Sequence, residues 1–287
     1  MIDHAEPDMQ ASAAPALDIL IHLRRTDALT PAATVGLQLA QRLGAFVTGL
    51  HVVPLAAAAF ASPEAVALYV NETDDLFREA QQRESFWREE LAQRRLEGEW
   101  QVSQGDVIEA LCHASRWCDL VVVERPQLVP DAPTGWGVVS RTVFGASAPV
   151  MVVPETAQCA SAAARIVVAW NQSREAMLAI HGALPLLSRA DHVVVLEGEP
   201  RENPFGLRYL PKLDLRAWLD RRGIEAEFRP FATHKECGAA LLDAAREVSA
   251  DLIVMGAWGH SRITELVLGG TTRHLFQASD LPLVVAH

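Results

Sequence analysis

The chain has 287 residues, half of them hydrophobic, and a net charge of −11. That is length for two domains and apolar material for sizeable cores, while the acidic balance argues against a nucleic-acid surface and against docking on anionic lipid. The four cysteines (Cys112, Cys118, Cys159, Cys237) lack Cys-x-x-Cys spacing, no apolar run reaches membrane-spanning length, and residues 1–14 lack a basic stretch before an apolar core; a soluble cytoplasmic protein with reduced thiols is expected, without disulfide frame, metal site or signal peptide.

Residues 1–16 are polar and alanine-rich and read as a tail. A strand is predicted over 17–23. Thr30-Pro31 then gives a helix start, with Thr30 as cap and Pro31 in the first turn, and Gly44 supplies the stop. A second strand covers 46–53. Residues 63–97 carry Leu68, Leu76, Phe77, Ala80, Phe86, Trp87 and Leu91 at helical spacing, which predicts one or two long amphipathic helices with a solvated charged face. A weak strand at 100–102, a helix over 108–117 and strands at 119–123 and 150–153 complete the first half.

The second half repeats this order. A strand over 165–170 ends at Asn171, Ser173 caps a helix through 187, and a strand follows at 193–196. A helix over 213–222 is stopped by Gly223. A strand at 226–231, a helix over 237–248 and strands at 251–255 and 283–286 follow. Asp119-Leu120-Val121-Val122-Val123 answers Asp251-Leu252-Ile253-Val254-Met255, and Pro149-Val150-Met151-Val152-Val153 answers Pro282-Leu283-Val284-Val285-Ala286. The expected division is a tail at 1–16, a domain at 17–154, a linker at 155–164 and a second domain at 165–287. Alternating strands and helices imply a parallel sheet covered on both faces in each half, a doubly wound α/β fold.

The most informative stretch is Gly256-Ala257-Trp258-Gly259, nine further residues, and Gly269-Gly270-Thr271-Thr272. Glycine directly after a buried strand lets the backbone turn and approach a ligand. Residues 264–268 and 271–276 carry apolar side chains at helical spacing, so the second glycine pair sits near a helix start. Amides and the positive dipole end at such a place suit phosphate. The alternative reading is a glycine-rich turn with a tight helix contact.

This pattern resembles the nucleotide-binding signature of the universal stress protein family, Gly-x-x-Gly, nine residues, Gly, then Ser or Thr. Gly256, Gly259 and Gly269 match; Gly270 stands where the Ser or Thr is expected, and Thr271 follows one place later. The resemblance implies a tandem protein of two such domains, each a five-stranded parallel sheet of order 3-2-1-4-5. Ligands then bind where the order reverses, between the first and fourth strands, so Asn171 and Gly256 should converge.

In nucleotide-binding members of the family an Asp usually stands at the place of Asn171; an amide can still give and accept hydrogen bonds. The resemblance implies ATP, with Mg, or another adenine nucleotide bound by Asn171, Met255, Gly256, Gly259, Gly269, Gly270, Thr271 and Thr272. Trp170 and Trp258 could flank a base, although packing is the favoured reading. His260, Arg262, Arg273 and His274 make the stretch locally basic, which helix-surface charge also explains. Asp251 reads as a turn or cap residue.

The first half has Glu124-Arg125-Pro126-Gln127 in place of Gly-x-x-Gly, with His22 and Leu23 taken to stand where the family has its Asp. It is expected not to bind nucleotide. No Gly-x-Ser-x-Gly, His-Glu-x-x-His or Walker motif occurs, so no catalytic residue is assigned beyond weak ATP hydrolysis. The fifth strands should pair with each other across a pseudo-twofold axis, since tethering favours the internal partner; a homodimer stays open. The expected function is a stress-response sensor or regulator. The alternatives are a scaffold of the same fold acting on protein clients, and a hydrolase or transferase with a non-standard site.

Overall fold

The computed structural model describes residues 17–54, 63–126, 137–157, 163–199, 211, 214–232, 237–257 and 270–287, without the side chains of 63–71. The first half contains β1 (Asp18–His22), α1 (Pro31–Leu43), β2 (Phe46–Pro54), α2 (Pro63–Gln82), α3 (Glu84–Arg94), β3 (Gly98–Gly105), α4 (Val107–Ala114), β4 (Leu120–Arg125), α5 (Val138–Gly145) and β5 (Val150–Pro154). The second contains β6 (Arg165–Trp170), α6 (Arg174–Gly182), α7 (Leu184–Leu187), β7 (His192–Glu197), α8 (Leu215–Asp220), β8 (Glu227–Pro230), α9 (Cys237–Glu247), β9 (Leu252–Gly256), α10 (Gly270–Ala278) and β10 (Leu283–Ala286).

Local signals act as the residue types dictate. Thr30 accepts from the Ala33 amide at the start of α1, and Gly44 closes that helix at φ 66. Ser173 accepts from the Ala176 amide at the start of α6. Such a cap contributes about 1 kcal/mol. The helix expected through 187 is divided at Ala183, because Pro185 has no amide to donate and its ring crowds the preceding turn. The strand expected at 100–102 runs over Gly98–Gly105, and the helix expected over 213–222 is held to Leu215–Asp220.

Among the described residues the strands form one sheet of ten, in the order β3-β2-β1-β4-β5-β10-β9-β6-β7-β8. Each half therefore has the order 3-2-1-4-5 and is parallel within itself. The halves meet where β10 lies antiparallel to β5, with Leu283 opposite Val152, Val284 opposite Met151 and Val285 opposite Val150. An apolar edge in each half becomes an interior strand of the whole. The remaining edges are polar: β3 alternates half-buried residues with exposed Glu99 and Gln101, and β8 carries Glu227 and Arg229, which discourages further pairing.

Strand alternation sends side chains to two apolar layers. Ile21, Val122, Ile166 and Val254 pack with α1, α3 and α6 on one face; Leu20, Val121, Val167 and Ile253 pack with α4, α5, α9 and α10 on the other. Each fully buried aliphatic side chain contributes about 1.5–3 kcal/mol. Reciprocal arginines hold the seam as well: Arg42 donates to the Arg189 carbonyl, and Arg189 to the Leu43 carbonyl at 2.9 Å. No helix of the described residues is long and apolar enough to cross a membrane.

Candidate functional site

In the second half the strand order reverses between β6 and β9, whose register runs from Ile166 opposite Leu252 to Ala169 opposite Met255. Trp170 and Gly256 come next, so Asn171 and Ala257 emerge side by side at the carboxyl edge. This is the crevice expected for a ligand of an open parallel sheet. Helix α6 begins there. The Asn171 side-chain oxygen accepts from the Ser173 amide at 3.2 Å, and Gln172 between them takes φ 62. A non-glycine residue in the left-handed region is uncommon, and this one tightens the turn into the helix. Asn171 is exposed, but part of its hydrogen-bonding capacity already shapes that turn.

Gly256 has a structural duty. A Cβ built on it would stand 2.4 Å from the Ala176 nitrogen and 2.8 Å from the Glu175 Cβ. The missing side chain lets α6 lie against the end of β9. Beside it, Glu175 has a buried carboxylate oxygen, Oε2, with no hydrogen-bond partner among the described residues. Sequence reading did not single out Glu175; an acidic residue in a helix's first turn is too common a signal.

Helix α10 connects β9 to the parallel strand β10, so it runs back along the sheet and its N-terminus lies toward the carboxyl edge. It starts at Gly270, which fits the expected helix start. Gly270 is exposed, and an added Cβ there would meet nothing within 4 Å among the described residues. At Gly270 the start of α10 thus carries no side chain, and helix N-terminal amides suit an anionic group. Thr271 is half-buried and Thr272 is 4% exposed, so Thr271 is the hydroxyl nearer the surface. Met255 is buried in the core at the end of β9. Arg273 is exposed, whereas the His274 ring packs against Gly238 of α9. Gly259 and Gly269, with Trp258, His260 and Arg262, lie outside the described residues.

Other sequence expectations are resolved by geometry. Trp170 is 7% exposed and part of the core, so it packs. The Asp251 carboxylate accepts from the Ala164 and Arg165 amides, pinning the start of β6. Among the described residues no three His, Cys, Asp or Glu side chains gather as a metal site.

The first half is built differently at the matching place. Strand register aligns Ile19 and Leu120 with Ile166 and Leu252. Counting outward, Arg24 answers Asn171 and Glu124 answers Gly256; the expectation that His22 and Leu23 stand there is corrected by two and one residues. Arg24 and Glu124 form an ion pair of 3.1 Å across the crevice, with the Glu124 side chain 5% exposed. His22 is buried just beneath, its pKa pushed down to about 4 by burial first and by His51 and Arg24. The His51 Nδ1 lies 2.7 Å from the Leu23 carbonyl. These polar groups are spent on each other.

Comparison with known proteins agrees with this construction. Residues 163–287 match the model of the Universal stress protein family. A curated relative, universal stress protein Slr1230 of Synechocystis sp. (strain ATCC 27184 / PCC 6803 / Kazusa), is 25% identical over 146 residues, 50% of this chain and 48% of the relative; the match thus spans about half the length of that relative. The fold is shared across both halves with solved structures. A universal stress protein from Archaeoglobus fulgidus DSM 4304 superposes with TM-score 0.66 at 16% identity, covering 94% of this chain and 97% of its own. A functionally unknown protein of Pseudomonas aeruginosa PAO1 gives TM-score 0.54 at 14% identity, covering 94% and 92%.

Proposed function

We propose that the C-terminal half of the chain, whose residues 163–287 match the model of the Universal stress protein family, is a member of that family and binds ATP or another adenine nucleotide between β6 and β9. The phosphates sit on the first amides of α10 at Gly270 and Thr271, with Gly259 and Gly269 of the sequence motif as further ligand residues. Asn171 contacts the nucleoside, and the unpartnered Glu175 oxygen accepts from a ribose hydroxyl. Any Mg travels on the phosphates, since no acidic cluster gathers among the described residues. Residues 17–154 form a degenerate domain of the same fold that binds no nucleotide, because Arg24 and Glu124 fill its crevice. The role that follows is a cytoplasmic stress-response sensor or regulator rather than an enzyme.

The observation carrying this reading is the N-terminus of α10, which begins among the described residues at an exposed glycine, Gly270, on the side of the carboxyl edge where the strand order reverses. Mass spectrometry of small molecules released from the denatured protein, with thermal shift on adding ATP and magnesium, tests it. Bound adenine nucleotide or a clear upward shift is expected. Gly270→Glu should abolish the shift without lowering the melting point of the free protein, because there is room for the side chain and its charge repels phosphate while suiting the helix end. No nucleotide and no shift would overturn the reading. The scaffold alternative then gains, and it has its own support: the Asn171 oxygen is engaged with Ser173, and Gly256 is occupied by α6.

A further inference from the structure

The end of β4, which closes the first half's crevice with Glu124, also grips the second half. Arg125 follows Glu124 at the end of β4, and by register its counterpart beyond Gly256 is Ala257. Arg125 Nη1 donates to the Phe276 carbonyl at 2.7 Å, and Nη2 donates to the Ser279 carbonyl at 2.5 Å. The first carbonyl lies in the last turn of α10 and the second on the residue that directly follows the helix, about 150 residues away in the chain. The last carbonyls of a helix lack intrahelical partners and carry its negative dipole end, so a forked cation is a fitting cap. Burial lowers the Arg125 pKa, against the opposing pull of Asp280. Asp280 in turn pairs with Arg246 of α9 at 3.0 Å. The cap is therefore bonded to α10 and linked to α9 through the charge of Asp280.

The relationship is one-sided. Ala257 has no side chain that could return the grip to α5. Instead its carbonyl lies 3.3 Å from His287 Nδ1, and the His287 ring stacks on Phe144 of α5 at 4.8 Å. Helix α10 has nine residues, about 13 Å of rigid rod. Fixing its C-terminal end fixes where the open end at Gly270 stands relative to β6 and β9.

We propose that Arg125 is a positioning residue for the ligand site of the other half: the N-terminal half, its own crevice closed by Arg24 and Glu124, is an anchor that holds α10 in register with that site. The ligand part rests on the nucleotide reading above; the anchoring part does not.

The full chain with Arg125→Met, and with Arg125→Lys, tests it by two readouts. Amide hydrogen exchange without nucleotide should quicken about tenfold across 270–279 in Arg125→Met, and less in Arg125→Lys, which keeps the charge but loses the fork, while β6 and β9 stay protected. ATP affinity measured by calorimetry with magnesium should weaken about tenfold in Arg125→Met, within the usual range of coupling between sites, with partial recovery in Arg125→Lys. Unchanged exchange in α10, or faster exchange spread evenly over both halves, would overturn the anchor. Unchanged ATP affinity with loosened α10 would overturn the positioning role. If the wild type binds no ATP, the nucleotide reading falls while the exchange measurement still decides the anchor. If Arg125→Met does not fold, Arg125→Lys decides both by the same criteria.

Discussion

Gly256 lies so close to Ala176 that the smallest side chain would put a carbon 2.4 Å from that residue's backbone nitrogen. The obstacle is main chain in the first turn of α6, where Ser173 holds the Ala176 amide, so it cannot swing aside. Gly256→Ala is expected to cost about 1–3 kcal/mol through overpacking, measurable by urea unfolding of the ligand-free protein. Unchanged stability would mean that α6 does not sit on the end of β9. The same substitution in a binding assay must be read after this cost is known, whereas Gly270→Glu carries no such penalty.

Arg24 and Glu124 should respond unequally to substitution. Arg24 has 42% of its side chain exposed and Glu124 has 5%. Arg24→Ala strands a buried carboxylate whose second oxygen already lacks a partner among the described residues; a loss of about 3 kcal/mol is expected, the low end for breaking a buried pair. Glu124→Gln keeps the shape, removes the charge and leaves Arg24 free to reach water, so its cost should be clearly smaller. Denaturant titrations of the two variants measure the difference. Equal costs would show that the pair is governed by packing rather than by desolvation of the carboxylate.

Acid should weaken the first half through His22. In the folded chain its pKa is about 4, below the ordinary 6.5, because burial and the neighbouring His51 and Arg24 disfavour the charged ring. The unfolded chain takes up this proton as pH falls through about 6.5, and the folded chain only near pH 4. Between these values the unfolded state binds more protons. Stability from this group is therefore full above pH 6.5 and falls as pH drops toward 4, by about 3 kcal/mol in all. His22→Gln should lose less stability than the wild type between pH 7 and pH 4.5 when both are unfolded in urea. Parallel acid profiles would refute a buried neutral His22.

The sequence by itself determined the elements, their order and their duplication. Runs such as Leu120-Val121-Val122-Val123 and Leu252-Ile253-Val254-Met255 can be satisfied only as strands covered on both faces, and the Thr30 and Ser173 caps act within a few residues. It did less well where the environment differs from the core: β3 is a sheet edge whose alternating polar residues hide its length, and Pro185 divides a helix that apolar spacing alone makes continuous. The strand endings needed register. Arg24 rather than His22 or Leu23 stands at the place of Asn171 because parallel pairing fixes which residue emerges where, and a one-residue slip sends a side chain to the other face. Only the tertiary structure decided that Gly256 makes room for α6, that Arg24 meets Glu124 across 100 residues, and that Arg125 reaches α10. Those contacts join segments distant in the chain, and no local propensity encodes them; they follow from how the layers stack once β5 and β10 have joined the halves.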